Sequence, residues 1–190
     1  MQVPYRRRPG PGHAVRSLAA LASLTLVLAL AAGCTQASSA PATTVPLKAG
    51  RYPSKISKEV CVTDAPKDVG LALGETAKVS TPTWVDHLYS CRFDYPGASM
   101  TLSVKELSSR DETTAYFDSL GAQLGVSRNL QNLGQGAFQT TDGSVVVRKD
   151  YKVLLVDISG LPSDFGNPPT TRAEIAVTVA DVVLGCWAGD

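Results

Sequence analysis

The order of residues at the start of this chain limits what the rest can fold into. Arg6, Arg7, Arg8 and Arg16 come first. Residues 18–32 follow as an uncharged apolar run, and Ala31, Ala32 and Gly33 stand immediately before Cys34. The run is shorter than the roughly 20 residues that span hydrocarbon comfortably, and it has the length of the apolar part of an export leader. Small residues fit a narrow peptidase cleft. A thiol, as its thiolate, is a nucleophile that can take a thioether-linked diacylglycerol. The folded part is therefore expected to be built from the residues that follow this run.

This pattern resembles a bacterial lipoprotein signal peptide with its lipobox. The resemblance implies a mature chain that begins at Cys34 and hangs from the outer face of the cell membrane by lipid, two acyl chains holding where one does not. One departure is visible: the leucine that the pattern prefers three positions before the cysteine is Leu30, with Ala31 in its place. Ordinary secretion with Cys34 as a plain thiol is the rival reading, and an uncleaved membrane helix is a weaker one. The paired arginines lack the surrounding frame of twin-arginine export, which favours the general secretory route.

Four of the 18 Lys and Arg residues leave with the leader while all 17 Asp and Glu stay, which puts the remainder at −3. That balance argues against a nucleic-acid partner, which requires a basic patch. Residues 35–58 are rich in Ala, Ser, Thr and Pro and poor in large apolar side chains, so residues 34–58 read as a flexible tether from the lipidated cysteine. One domain over residues 59–190 remains, of ordinary size.

Cys61, Cys91 and Cys186 are the other cysteines. An exported chain sits in an oxidising setting, so a disulfide is expected, and an odd count leaves one thiol over. Sequence alone does not settle the pairing. Cys61–Cys91, tying the first segment to an early strand, is favoured, with Cys186 packing as a small apolar group beside Trp187. Cys61–Cys186, pinning the two ends of the domain, is the rival. No CxxC motif and a single histidine after the leader argue against a metal site, and no cofactor is expected.

Along the domain, residues 63–73 read as a short helix opened by Thr63 or Asp64, with Pro66 in its first turn and Gly74 after its end. Residues 84–89 lead into the alternating strand 91–95. Pro96-Gly97 turns the chain, and Met100, Leu102 and Val104 share one face of the next strand. Ser109 and Glu112 form a capping-box signature before a helix carrying Tyr116, Leu120 and Leu124 and ending at Gly125. Strands at 137–141 and 144–148 flank Asp142-Gly143, a type I′ hairpin signal. Residues 149–151 turn into strand 152–158, apolar on both faces and so expected to be central. A loop at 160–169 precedes a last helix, opened by Thr171 and Glu174, with Ile175, Val179 and Val183 facing the core. The expectation is an α+β fold, an antiparallel sheet of about five strands packed with two to three helices.

The element order, Cys61, Cys91-Arg92-Phe93, the step Leu133-Gly134-Gln135-Gly136-Ala137-Phe138 and the closing helix resemble a group of actinobacterial lipoproteins of unknown function. More distantly they are similar to Mog1/PsbP-like α+β domains. The resemblance spans residues 59–188 and implies the Cys61–Cys91 pairing, with Cys186 outside the pattern. It implies no chemistry.

Asp86-His87 is the one acid–histidine neighbourhood after the leader. On an extended segment the two side chains point to opposite sides and do not act as base and orienter. No Gly-x-Ser-x-Gly elbow supplies a nucleophile. Gly134-Gln135-Gly136 lacks a third glycine and a following helix, which leaves a tight strand entry rather than a dinucleotide loop. Asp94, Glu106, Asp150 and Asp157 read as solvated strand or turn carboxylates. Trp84, Tyr89, Phe93 and Tyr95 form the densest aromatic patch, read first as core and second as a ligand groove. The expected function is a membrane-anchored, non-catalytic binding or interaction domain for a lipid, small molecule or envelope protein. The alternative is an envelope hydrolase using Asp and His87.

Overall fold

The computed structural model describes residues 48–62 and 64–187. The leader, Cys34 and Thr63 lie outside the described residues. The helices are α1 (Lys55–Glu59), α2 (Asp64–Leu73), α3 (Arg110–Leu124) and α4 (Arg172–Cys186). The strands are β1 (Lys78–Val79), β2 (Thr83–Val85), β3 (Leu88–Tyr95), β4 (Ala98–Glu106), β5 (Val126–Leu130), β6 (Gly136–Thr140), β7 (Val145–Lys149), β8 (Lys152–Asp157), β9 (Asp164–Phe165) and β10 (Thr170–Thr171).

Eight strands form one antiparallel sheet in the order β1-β3-β4-β8-β7-β6-β5, with β2 on the same edge of β3 as β1. The fold is α+β, as the sequence predicts. β8 is central, between β4 and β7. Its two apolar faces serve two different cores. Leu154 and Val156 join Leu102, Val104, Val145 and Val147 under α2 and α4, with Ile175, Val179 and Val183 packed from above. Val153 joins Leu120, Phe138 and Val146, with Tyr116, Phe117 and Leu155 packed beside them, under α3. A strand buried on both faces reads as a continuous apolar run, which is what 153–156 is.

Local signals act as the sequence predicts at most helix ends. Ser109 Oγ accepts from Glu112 N, and Gly125 closes α3 at φ 73°. The Glu112 carboxylate reaches back to Ser108 N rather than to Ser109 N. Thr171 and Glu174 make a full reciprocal box at the start of α4.

Several expectations are corrected. Among the described residues the sheet has eight strands rather than about five, a separate β9–β10 ribbon exists, and there are four helices. β5 is an edge strand of Val-Ser-Arg-Asn-Leu, mostly exposed and without alternation; it forms because β6 supplies its hydrogen bonds. The hairpin at Asp142-Gly143 is not type I′. Gly143 N bonds Thr140 O and Thr140 N bonds Ser144 O, enclosing a three-residue loop in which Gly143 alone has positive φ. That is a type I turn followed by a bulge. The two-residue left-handed turns lie elsewhere, at Asp86-His87 between β2 and β3 and at Asp150-Tyr151 between β7 and β8.

The folded structure also takes in the end of the segment read as tether. Ala49 N bonds Leu107 O, Trp84 Nε1 bonds Arg51 O, and α1 lies at residues 55–59. Ser57, inside that short helix, is fully buried and donates its hydroxyl to Glu106. The Cys61–Cys91 disulfide then fastens the residues after α1 to β3, with Cα atoms 5.8 Å apart. Closing a loop of this separation stabilises by about 3 to 4 kcal/mol.

Candidate functional site

The residues singled out in the sequence do not converge. His87 is exposed at the tip of the β2–β3 hairpin, its ring edge-on to Trp84 with centroids 5.6 Å apart. Asp86 precedes it in the turn, not on an extended strand as expected. Asp94 pairs with Arg92, Asp150 accepts from Gln135 Nε2, and Asp157 accepts from Ser159 N. Glu106 is buried rather than solvated and receives Ser54 N at 2.7 Å as well as the Ser57 hydroxyl. Tyr89, Phe93 and Tyr95 belong to the core, with Trp84 partly buried against it. At Gly134, φ is +60° and an added Cβ would lie 2.6 Å from Val147 Cγ1, which confirms a tight strand entry.

Concavity is found instead along the outward side of α4. Apart from Arg172 and Glu174 in its first turn, Asp181 is the helix's one charge. Ile175, Val179 and Val183 face inward, and Val177 and Val182 are left half-buried on the flanks. A helix apolar nearly all round leaves contact surface over after its core side is filled. The β5–β6 loop, with Asn132 at positive φ, curls beside it. Between them lie two adjoining grooves of about 430 and 330 Å³ that share Asn132, Leu133 and Asp181. The first is bounded also by Lys149 and Gly185, the second by Val177 and Val182. A third groove of about 520 Å³ lies toward α2 and is lined by Glu59, Asp64, Asp68, Val182, Gly185 and Cys186. Gly185 opens onto two of the three, and a Cβ there would meet nothing within 4 Å.

Cys186 is the free thiol among the described residues, half-buried, with Sγ 3.6 Å from Val182 O. Burial raises its pKa, and the charges of Asp68, Glu59 and Asp64 raise it further.

Comparison with protein-family models, with curated proteins and with solved structures finds no match for this chain. Among the described residues, no group of three or more His, Cys, Asp or Glu side chains is placed to hold a metal ion, and no helix is long and apolar enough to cross a membrane.

The grooves were not legible in the sequence as a site. One signal was present: a single aspartate inside an otherwise apolar helical run, opposite a loop of Gln131, Asn132 and Gly134. Its meaning depends on β5, an edge strand the sequence does not announce.

Proposed function

We propose that this chain is an exported lipoprotein, anchored through Cys34 at the extracytoplasmic face of the cell membrane. Its domain binds a ligand or an envelope partner in the grooves along α4, without catalysis. The observation that carries the anchor is the succession of arginines, uncharged apolar run, small residues and Cys34. The grooves support the binding role. Half-buried Val177 and Val182 beside Asp181 suit a ligand with an apolar body and a polar or cationic group. The exposed position of His87 at a hairpin tip supports the non-catalytic half of the reading. Kinship with the actinobacterial lipoproteins belongs to the same proposal and adds no chemistry to it.

Native mass spectrometry of the protein gently extracted from its own membranes tests this. The expected mass carries a diacylglyceryl group on Cys34 and one disulfide. Cys34→Ala is expected to move the protein from the membrane to the soluble fraction. An unmodified Cys34 overturns the anchor. Extra mass from a bound molecule or second polypeptide that is lost in Gly185→Leu supports the grooves as the binding surface; retention in that variant overturns it.

A further inference from the structure

Two large exposed apolar side chains lie beside one hairpin, while Val62, Leu71, Leu124 and Val126 are exposed elsewhere on the domain. Tyr52 is 69 % and Val85 64 % exposed, and both lie where the chain enters the domain. Trp84 Nε1 donates to Arg51 O, which sets the Arg51-Tyr52 step beside the β2–β3 hairpin. The Arg51 guanidinium lies 5.7 Å from the Tyr52 ring centroid. The exposed His87 ring stands against Trp84. Lys105 Nζ donates to Asp86 O, and so places its charge at the same hairpin tip. Asp86 is the acid within the patch, against the cations Arg51 and Lys105, with exposed Lys48 just before it in the chain.

We propose that the surface made by Arg51, Tyr52, Trp84, Val85, His87 and Lys105 rests on the membrane that carries the anchor. The inference rests on the lipid attachment at Cys34. Thirteen residues lie between Cys34 and Lys48, so the entry point lies no more than about 50 Å from the lipid, and the patch meets the bilayer at high effective concentration. Tyrosine and tryptophan, apolar in body and polar at one edge, favour the headgroup level of a bilayer. Arginine and lysine beside them match anionic headgroup phosphates. Val85 is exposed on β2, a short strand at the sheet edge, and a bilayer surface would cover it.

The test uses the full chain, made in a bacterium that acylates lipoproteins and reconstituted into vesicles containing phosphatidylglycerol. Intact mass is measured first and reads the Cys34 lipid by itself. Trp187→Phe leaves Trp84 as the one tryptophan. Its emission is expected to fall by about a third or more when the acyl chains are brominated, as for a residue at the headgroup boundary. Arg51→Glu with Tyr52→Ser is expected to abolish that difference. Hydrogen exchange on the unaltered protein gives a second reading, with the amides of residues 50–52 and 85–88 slowed about fivefold or more by anionic vesicles relative to detergent. Unquenched Trp84 together with unchanged exchange overturns the proposal. Slowing that appears in detergent and grows with protein concentration also overturns it, because a second copy then covers the patch. A mass without lipid on Cys34 overturns the anchor alone. The same two readouts with vesicles added from outside then decide the patch, quenching and slowing supporting it and their absence overturning it.

Discussion

The Ser57 hydroxyl and the Glu106 carboxylate meet in a buried hydrogen bond that holds α1 to the end of β4. Ser57 is fully buried and Glu106 is 3 % exposed. The same carboxylate oxygen accepts Ser54 N, the N-cap position of α1. Glu106 stands opposite Lys152 in the β4–β8 register, and that side chain is buried as well. The chain's entry into the domain is thus held by an acceptor on a strand 49 residues away.

Glu106→Ala leaves the buried Ser57 hydroxyl and the partly buried Ser54 amide without their acceptor. The expected loss is about 2 to 3 kcal/mol, the scale of leaving two hydrogen-bond donors without their acceptor away from solvent. Glu106→Gln keeps an acceptor and is expected to cost less. Urea unfolding midpoints of the two variants check this, and an Ala variant within about 0.5 kcal/mol of the parent overturns it.

Cys61→Ala with Cys91→Ala removes the link between the α1–α2 junction and β3. The expected cost is about 3 to 4 kcal/mol, whereas Cys186→Ser, at a half-buried free thiol, is expected to cost about 1 kcal/mol or less. Thermal melts of both variants under non-reducing conditions separate them. Equal losses would mean that Cys186 carries a structural load the geometry does not show.

Two glycine substitutions are expected to have opposite signs. Gly185→Ala, in α4 and open on its Cβ side, is expected to stabilise by about 0.5 to 1 kcal/mol. Gly134→Ala demands a side chain at φ +60° with Val147 Cγ1 at 2.6 Å and Arg148 O at 2.8 Å. It is expected to destabilise by about 2 to 3 kcal/mol. Chemical denaturation of both variants reads the signs directly.

Asp142 gives the β6–β7 loop a pH dependence. Burial alone raises its pKa. Hydrogen bonds from Thr140 Oγ1 and from Ser144 N and Oγ outweigh that, and the net shift is downward. A carboxyl lowered on folding contributes stability above its unfolded pKa and loses it as pH falls through its folded value. Asp142→Asn is therefore expected to be less stable than the parent at pH 7, with the gap closing as pH falls below about 4. A gap that stays constant from pH 7 to pH 2 would remove the carboxylate from the account.

The parts of this fold that were legible share a short range. Thr171 and Glu174 are three residues apart, Ser109 and Glu112 likewise, and each pair announces a helix start by itself. The alternation through Met100, Leu102 and Val104 and the continuous run 153–156 identify the inner strands, because burial on one or two faces is written into consecutive residues. β1, β2 and β5 escaped, being short or polar edges whose hydrogen bonds are completed by β3 and β6. The grooves escaped with them.

From the sequence alone came the α+β class, the central place of β8 and the short list of cysteine pairings, and the proposal of an export leader before Cys34 rests on the sequence alone. These are consequences of composition, periodicity and covalent chemistry. Tertiary structure alone decided that Cys61 joins Cys91 and leaves Cys186 among carboxylates. It alone folded residues 48–58 onto the domain through Glu106, and it alone set the Arg51 carbonyl against the Trp84 indole. Those outcomes bring together groups 30 or more residues apart, and no local pattern encodes which distant partner will be there to satisfy a buried hydroxyl, a thiol or an aromatic edge.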